Sequence, residues 1–251
     1  MLTIKPTKKL MGVTIQGDYN DLQELQESIY RMCGEDDIDD PHYSIRMRLL
    51  GLCYDIRHAY QGDRDVELKD NAFTKELSEW HEVKADSKNV YYSVDVLFTE
   101  ALFIAITVPS LFEDGLAYYG SKRKLSGGRT GYKYSYYKTD IAYLSLLCSK
   151  IWGALEEVLD TKDFEKLMKL YECSNETYEN YAAQYVEKLS RELDVTAVEK
   201  RKSKLNGIAK RLITKTNSYY AIEEFINDTA KECRCHPSAL MLDIPYPETI
   251  D

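Results

Sequence analysis

Glycine and proline are scarce in this 251-residue chain, with 12 and 6 copies. An all-β sandwich or barrel draws on both for its many tight turns, so their scarcity argues against one and favours helices. No apolar run reaches 18 residues, which leaves no sequence for a membrane-spanning helix. The opening residues, MLTIKPTKKL, lack the apolar stretch of a secretory signal. Cysteine is not dense either. The six copies, Cys33, Cys53, Cys148, Cys173, Cys233 and Cys235, are too few for a disulfide scaffold in a chain of this size. Cys53 and Cys148 fall inside apolar helical patterns, where a thiol acts as a small hydrophobe. Free thiols and a cytoplasmic setting are the expectation. A phosphate-cradling glycine loop is also missing, because SGGRTG at 126–131 lacks the G-x-x-x-x-G-K-[ST] spacing. No strong catalytic signature appears elsewhere.

What is present is a globular composition, 44% hydrophobic and 30% charged, with 21 tyrosines and a net charge of -9. The charge is uneven. Residues 1–115 hold 12 basic and 22 acidic residues, whereas 116–251 hold 21 and 20. Two windows contain no acid at all: 120–139 with six Lys or Arg, and 200–215 with seven. The sequence therefore describes an acidic body with two basic islands.

Periodicity gives an α+β class that is predominantly helical, with a small antiparallel sheet built from the first 100 residues. Short strands are expected near 2–5 and 12–16, at DVELKD and at VYYSVDV. DLQELQESIYRMCG reads as a helix with a capping box of Asp21 and Glu24 and a stop at Gly34. Ile45, Leu49, Leu52, Ile56 and Tyr60 mark the buried stripe of a second helix. FTKELSEWHEV is a polar helix. LFTEALFIAITVPSLF is apolar almost all round and so is a central buried helix, ended or kinked at Pro109. From Asp140 onward every pattern is helical, including one helix through NETYENYAAQYVEKLSREL, with Tyr178, Ala182, Tyr185 and Leu189 on one face. The expected organisation is a small α+β domain over 1–115, a basic Gly/Tyr-rich loop or linker over 116–139, and a helical domain over 140–251.

Three stretches, GVTIQGDY at 12–19, LLGLCYDIRHAYQGDRDVEL at 49–68 and NVYYSVDVLF at 89–98, resemble an uncharacterised bacterial family, mainly from Gram-positive species, that carries a domain of unknown function. The resemblance covers about the first 110 residues. It implies no activity and no catalytic residue.

Five groups could carry chemistry. Asp55 and His58 lie three apart on a helix and share a face, with Arg48 two turns earlier and Asp63 and Arg64 just beyond. Together they could supply acid–base or phosphoryl chemistry; the plainer reading is a salt-bridged face in which Asp55 orients Arg48 or His58. EDDIDD at 35–40 is rich in carboxylates but lacks the register of a calcium loop, and a solvated loop is expected. Cys233, Cys235 and His236 supply at most three zinc ligands, with no second pair at the right spacing, so no metal is expected. Residues 119–138 combine Lys122, Arg123, Lys124, Arg129 and Lys133 with glycines that let backbone amides approach an anion. Tyr132, Tyr134 and Tyr136 alternate, so on a strand they would line one face for stacking. Residues 120–131 are expected to be mobile without a partner. The last group, Lys200, Arg201, Lys204 and Arg211, forms the basic outer face of an amphipathic helix whose buried stripe is Leu205, Ile208, Ala209 and Leu212.

These features favour a non-catalytic binding or regulatory module without a cofactor. Its partner would be an anionic macromolecule, nucleic acid or an acidic protein face, and self-association through opposite charges is one route. The competing reading is an enzyme that acts on a phosphorylated or nucleic-acid substrate through Asp55, His58 and Arg48.

Overall fold

A computed structural model describes residues 1–34, 37–113, 134–247 and 250. The fold is α+β. Strands β1 (Thr3–Pro6), β2 (Gly12–Gly17), β3 (Asp65–Asp70) and β4 (Lys88–Leu97) form one antiparallel sheet in the order β1-β2-β4-β3. Alternation sets its faces. Val13 lies opposite Val96 and Ile15 opposite Val94, and all four are buried. The intervening Thr14 and Asp95 form a polar pair on the other face, where the Thr14 hydroxyl donates to Asp95 Oδ1 at 2.5 Å.

The first helix, α1 (Tyr19–Cys33), begins one turn earlier than the sequence suggests. Asp18 is its N-cap. It accepts from the Asp21 amide at 2.9 Å, while Asp21 accepts from the Asp18 amide at 3.1 Å, so the capping box is Asp18 with Asp21. The earlier acid wins because the chain leaves β2 at Gly17 and its first free amides are those just after Asp18. Gly34 ends α1 at φ +70°, a conformation that costs glycine little.

Helix α2 (Tyr43–His58) buries Ile45, Leu49, Leu52 and Ile56 as its spacing requires. It runs into a wide turn at 59–63, where Gly62 takes φ +88°, and the chain then enters β3. Helix α3 (Lys75–His81) is a short exposed excursion between β3 and β4. Helix α4 (Phe98–Thr107) is apolar on every side because it is packed on every side: α2, α5 (Tyr134–Val158), α7 (Gln184–Asp194) and α8 (Val198–Thr214) all touch it. Its regular hydrogen bonding stops at Thr107, and a 3₁₀ turn carries Pro109, which has no amide to donate. The buried residues of both the sheet-bearing part and the later helices belong to one hydrophobic cluster. Helices α6 (Thr161–Glu172) and α9 (Asn217–Cys233) complete the fold, and no strand follows β4 among the described residues.

One expected helix is shorter than its pattern. Regular helix begins at Gln184, not near Tyr178, because Asn180 sits at φ +54° and its amide donates to the Pro41 carbonyl. Tyr178 and Tyr181 are buried for a different reason. With Tyr219 they surround the ammonium of Lys215, at 5.6, 5.5 and 5.2 Å from the ring centroids. Lys215 also donates to the Thr177 carbonyl. Burial lowers its pKa from the ordinary lysine value.

Candidate functional site

A cavity of about 1050 Å³ opens where the sheet meets α2, α4 and α7. Its α2 wall is a stripe at helical spacing that includes Ser44, Arg48, Gly51, Leu52 and Asp55. Gly51 leaves a notch in that wall: a Cβ placed there would meet nothing within 4 Å. β4 supplies Ser93, Val94, Asp95 and Val96, and Asp63, Arg64 and Asp65 come from the turn into β3. The C-terminal segment lines the remaining side through Leu240, Met241, Tyr246 and Ile250. Gln184 ties that segment to α7 by donating to the Pro237 and Leu240 carbonyls at 3.0 and 2.8 Å.

Six carboxylates line this cleft, Asp55, Asp63, Asp65, Asp95, Glu100 and Glu187, against two guanidinium groups, Arg48 and Arg64. Both cations are already engaged. Arg48 reaches Glu100 at 2.8 Å and Glu187 at 2.7 Å, and so cross-links three helices at the cleft wall. Arg64 reaches Asp55 at 3.2 Å. Burial raises the Glu100 carboxyl above the ordinary carboxylate range, and the adjoining Arg48 works in the opposite direction. Among the described residues, Asp95 accepts from the Thr14 hydroxyl and no ion pair forms on Asp65. The cleft therefore carries a negative excess in a partly enclosed space, where opposite charges are attracted more strongly than in open water.

The acid–base group expected from the sequence is divided in the fold. Arg48 and Asp55 both line the cleft but bind different partners. His58 is not in the lining; its Nδ1 pairs with Asp63 at 2.8 Å and its ring packs on Tyr54. Asp55 thus orients Arg64 rather than Arg48 or His58. In the acidic loop, Asp40 pairs with Arg46 at 2.9 Å, and Asp37 accepts from the Asp39 amide. Cys233, Cys235 and His236 lie at and beyond the end of α9, where His236 Nδ1 accepts from the Ser238 amide. No group of three metal-binding side chains occurs among the described residues. All six cysteines are free; burial pushes the Cys33 and Cys148 thiols up to about 12.

Of the anion-binding stretch, Lys122, Arg123, Lys124, Arg129, Tyr132 and Lys133 lie outside the described residues, as do 120–131 as a whole. Tyr134 opens α5, and Tyr136 is on the same helix. The backbone at Tyr134 and Tyr136 is therefore helical rather than the expected strand. Tyr136 lies under the Arg31 guanidinium, 5.6 Å from its ring centroid, and Arg31 is anchored by buried Asp140 at 2.8 Å.

The second basic island is α8, and its buried stripe is as expected. Its charges, however, turn largely inward. Arg201 is buried and donates to the carbonyls of Thr196, Lys9 and Asp194. Lys204 and Arg211 converge on Glu192 at 2.6 and 2.7 Å, and Lys202 reaches Asp160 at 2.9 Å. These partners lower the Glu192 carboxyl to about 2, chiefly through the Arg211 hydrogen bond. Among the described residues, Lys200 has no ion pair.

Sequence reasoning overlooked Glu100, Glu187, Asp95 and Gly51. Two of these left a trace in the sequence. Glu100 is the one charge inside an otherwise apolar run, and Gly51 interrupts a strong helical pattern with a residue poorly suited to it.

The molecule is an α+β protein with an acid-lined cleft beside its sheet, and no described helix is long and apolar enough to cross a membrane. Residues 2–251 match the family model described as Domain of unknown function (DUF6904), and the chain belongs to that family. The match takes in the later helices as well as the first 110 residues. No curated protein and no solved structure matches.

Proposed function

We propose that this protein is a non-catalytic binding module whose acid-lined cleft receives a cationic ligand. The observation that carries the reading is the charge of the cleft: six carboxylates face two guanidinium groups that are themselves already paired. This reverses the sign of partner expected from the basic islands, because a phosphate in the cleft would meet like charge. Asp55, His58 and Arg48 each serve a separate ion pair, which supports binding over acid–base chemistry. The chain's own cationic stretch at 120–139 has the ligand chemistry required, so salt-sensitive self-association is expected on the same reading.

The test is titration calorimetry with hexalysine, hexaglutamate and a single-stranded oligonucleotide at low and high salt. Hexalysine is expected to bind and to weaken with salt, and Gly51→Phe, which fills the notch, is expected to abolish that binding. Hexalysine that binds the Gly51→Phe variant as tightly as the parent protein would remove the cleft from the account. Binding of the oligonucleotide alone would restore the anionic partner.

A further inference from the structure

One wall of the cleft is the end of β4 that β3 does not reach. β3 pairs with β4 only up to Asp65 opposite Ser93, whereas β4 runs on to Leu97. On its other side β4 stays paired with β2 as far as Gly12 opposite Leu97. Successive residues of a strand turn their amide and carbonyl to opposite sides. The Phe98 amide donates to the Met11 carbonyl, and the Val96 carbonyl lies so close to Gly12 that a Cβ there would collide with it. Val94 and Val96 therefore direct their backbone groups to β2, and Asp95 directs its own to the cleft. Outside the sheet ladders, no backbone–backbone hydrogen bond reaches Asp95 among the described residues. An open strand edge of this kind is a template for another strand.

The two faces of the open edge differ. Asp65, Ser93 and Asp95 share the polar face, since 65 and 93 are directly opposite and 93 and 95 are two apart. Val94 and Val96 share the apolar face, with Leu52 and Ile104 nearby in the same cavity.

We infer that this edge takes an extended peptide segment of a partner protein as a short fifth strand, with lysine or arginine on one face and apolar residues on the other. The inference rests on the cation-binding reading above and adds the form of the ligand. The span of β4 beyond β3, Val94–Leu97, is about 13 Å at about 3.3 Å per residue, so about four ligand residues make the pairing. Basic side chains of that segment would meet Asp65 and Asp95, and the alternate side chains would pack on Val94 and Leu52. Charge complementarity selects this occupant over an acidic peptide, which would place carboxylates against carboxylates.

The probe is a capped Lys-Val-Lys-Val-Lys peptide together with the same peptide N-methylated at every amide, which keeps the charges and removes the donors. Binding of each is measured by calorimetry, and exchange of the Asp95 amide is followed by nuclear magnetic resonance. The unmethylated peptide is expected to bind at least about tenfold more tightly than the methylated one. It is also expected to slow Asp95 exchange by about tenfold or more, and both effects should be lost in Gly51→Phe. If both peptides bind equally and Asp95 exchange is unchanged, strand addition is overturned while the acidic cleft stands. If neither peptide binds, the cation-binding reading falls with it.

Discussion

Along α8, Lys202, Lys204 and Arg211 each end on a carboxylate, and Arg201 ends on three backbone carbonyls. Around the cleft, six carboxylates share two guanidinium groups. The first region has the more conspicuous sequence, seven cations and no acid in sixteen residues. The second is scattered over much of the chain. Yet five of the seven cations in the conspicuous region are already held by carboxylates or backbone carbonyls of the fold, while the scattered region holds more carboxylates than guanidinium groups. Charge density along a sequence therefore measures neither surface potential nor availability for a partner. Both depend on where the opposite charges arrive, and Glu192 reaches α8 from a neighbouring helix.

Four changes break or sharpen this contrast. Arg48→Ala removes the one cation shared by Glu100 and Glu187, leaving two facing carboxylates that are each partly buried. It is expected to destabilise by about 2–4 kcal/mol, read from urea unfolding. Glu100 already sits above its ordinary pKa. A raised carboxyl costs stability once it ionises, so the deficit of this variant should shrink as pH falls into the carboxylate range.

Glu192→Gln probes the ion-paired part of α8. With a folded pKa lowered to about 2, Glu192 contributes stability that is fully present above its unfolded value of about 4.3 and is lost as pH falls towards 2. Solvent screens this partly exposed group, so the expected loss at neutral pH is about 1–2 kcal/mol. The parent protein should lose that margin on acidification, and the variant should show a flatter unfolding midpoint between pH 5 and 2 (about the window of the shift). An identical acid profile in both proteins would show that the α8 network contributes nothing.

Gly51→Ala should raise stability by about 0.5–1 kcal/mol, because alanine is the better helix former and its methyl enters open space. A rise in melting temperature checks it. Asp65→Asn is expected to change stability by less than about 0.5 kcal/mol, since no ion pair forms on Asp65 among the described residues. The same variant should weaken hexalysine binding, which separates the available charge of the cleft from the committed charge of α8.

Local pattern carried much of the fold. Two-residue alternation placed β2 and β4, the stripe of Ile45, Leu49, Leu52 and Ile56 placed α2, and an apolar run with Pro109 at its end placed α4. These are properties of near neighbours, which a sequence displays directly. The errors arose where distant groups decide. Tyr178 and Ala182 fit a helical face, but the pull of Pro41 on Asn180 and of Lys215 on Tyr178 holds that segment out of a helix. The cleft was hidden for the same reason. Arg48 meets Glu100 and Glu187 across 52 and 139 positions, and no spacing rule spans such distances. His58, legible as a reactive group, is held at the turn by Asp63 instead.

The turn at Gly62 determines where β3 begins, and so acts as a diaphragm for the cleft. With Asp65 opposite Ser93, two paired residues added ahead of Asp65 would carry β3 as far as Asp95. The length of this single loop thus sets how much of the β4 edge stays open to the cleft.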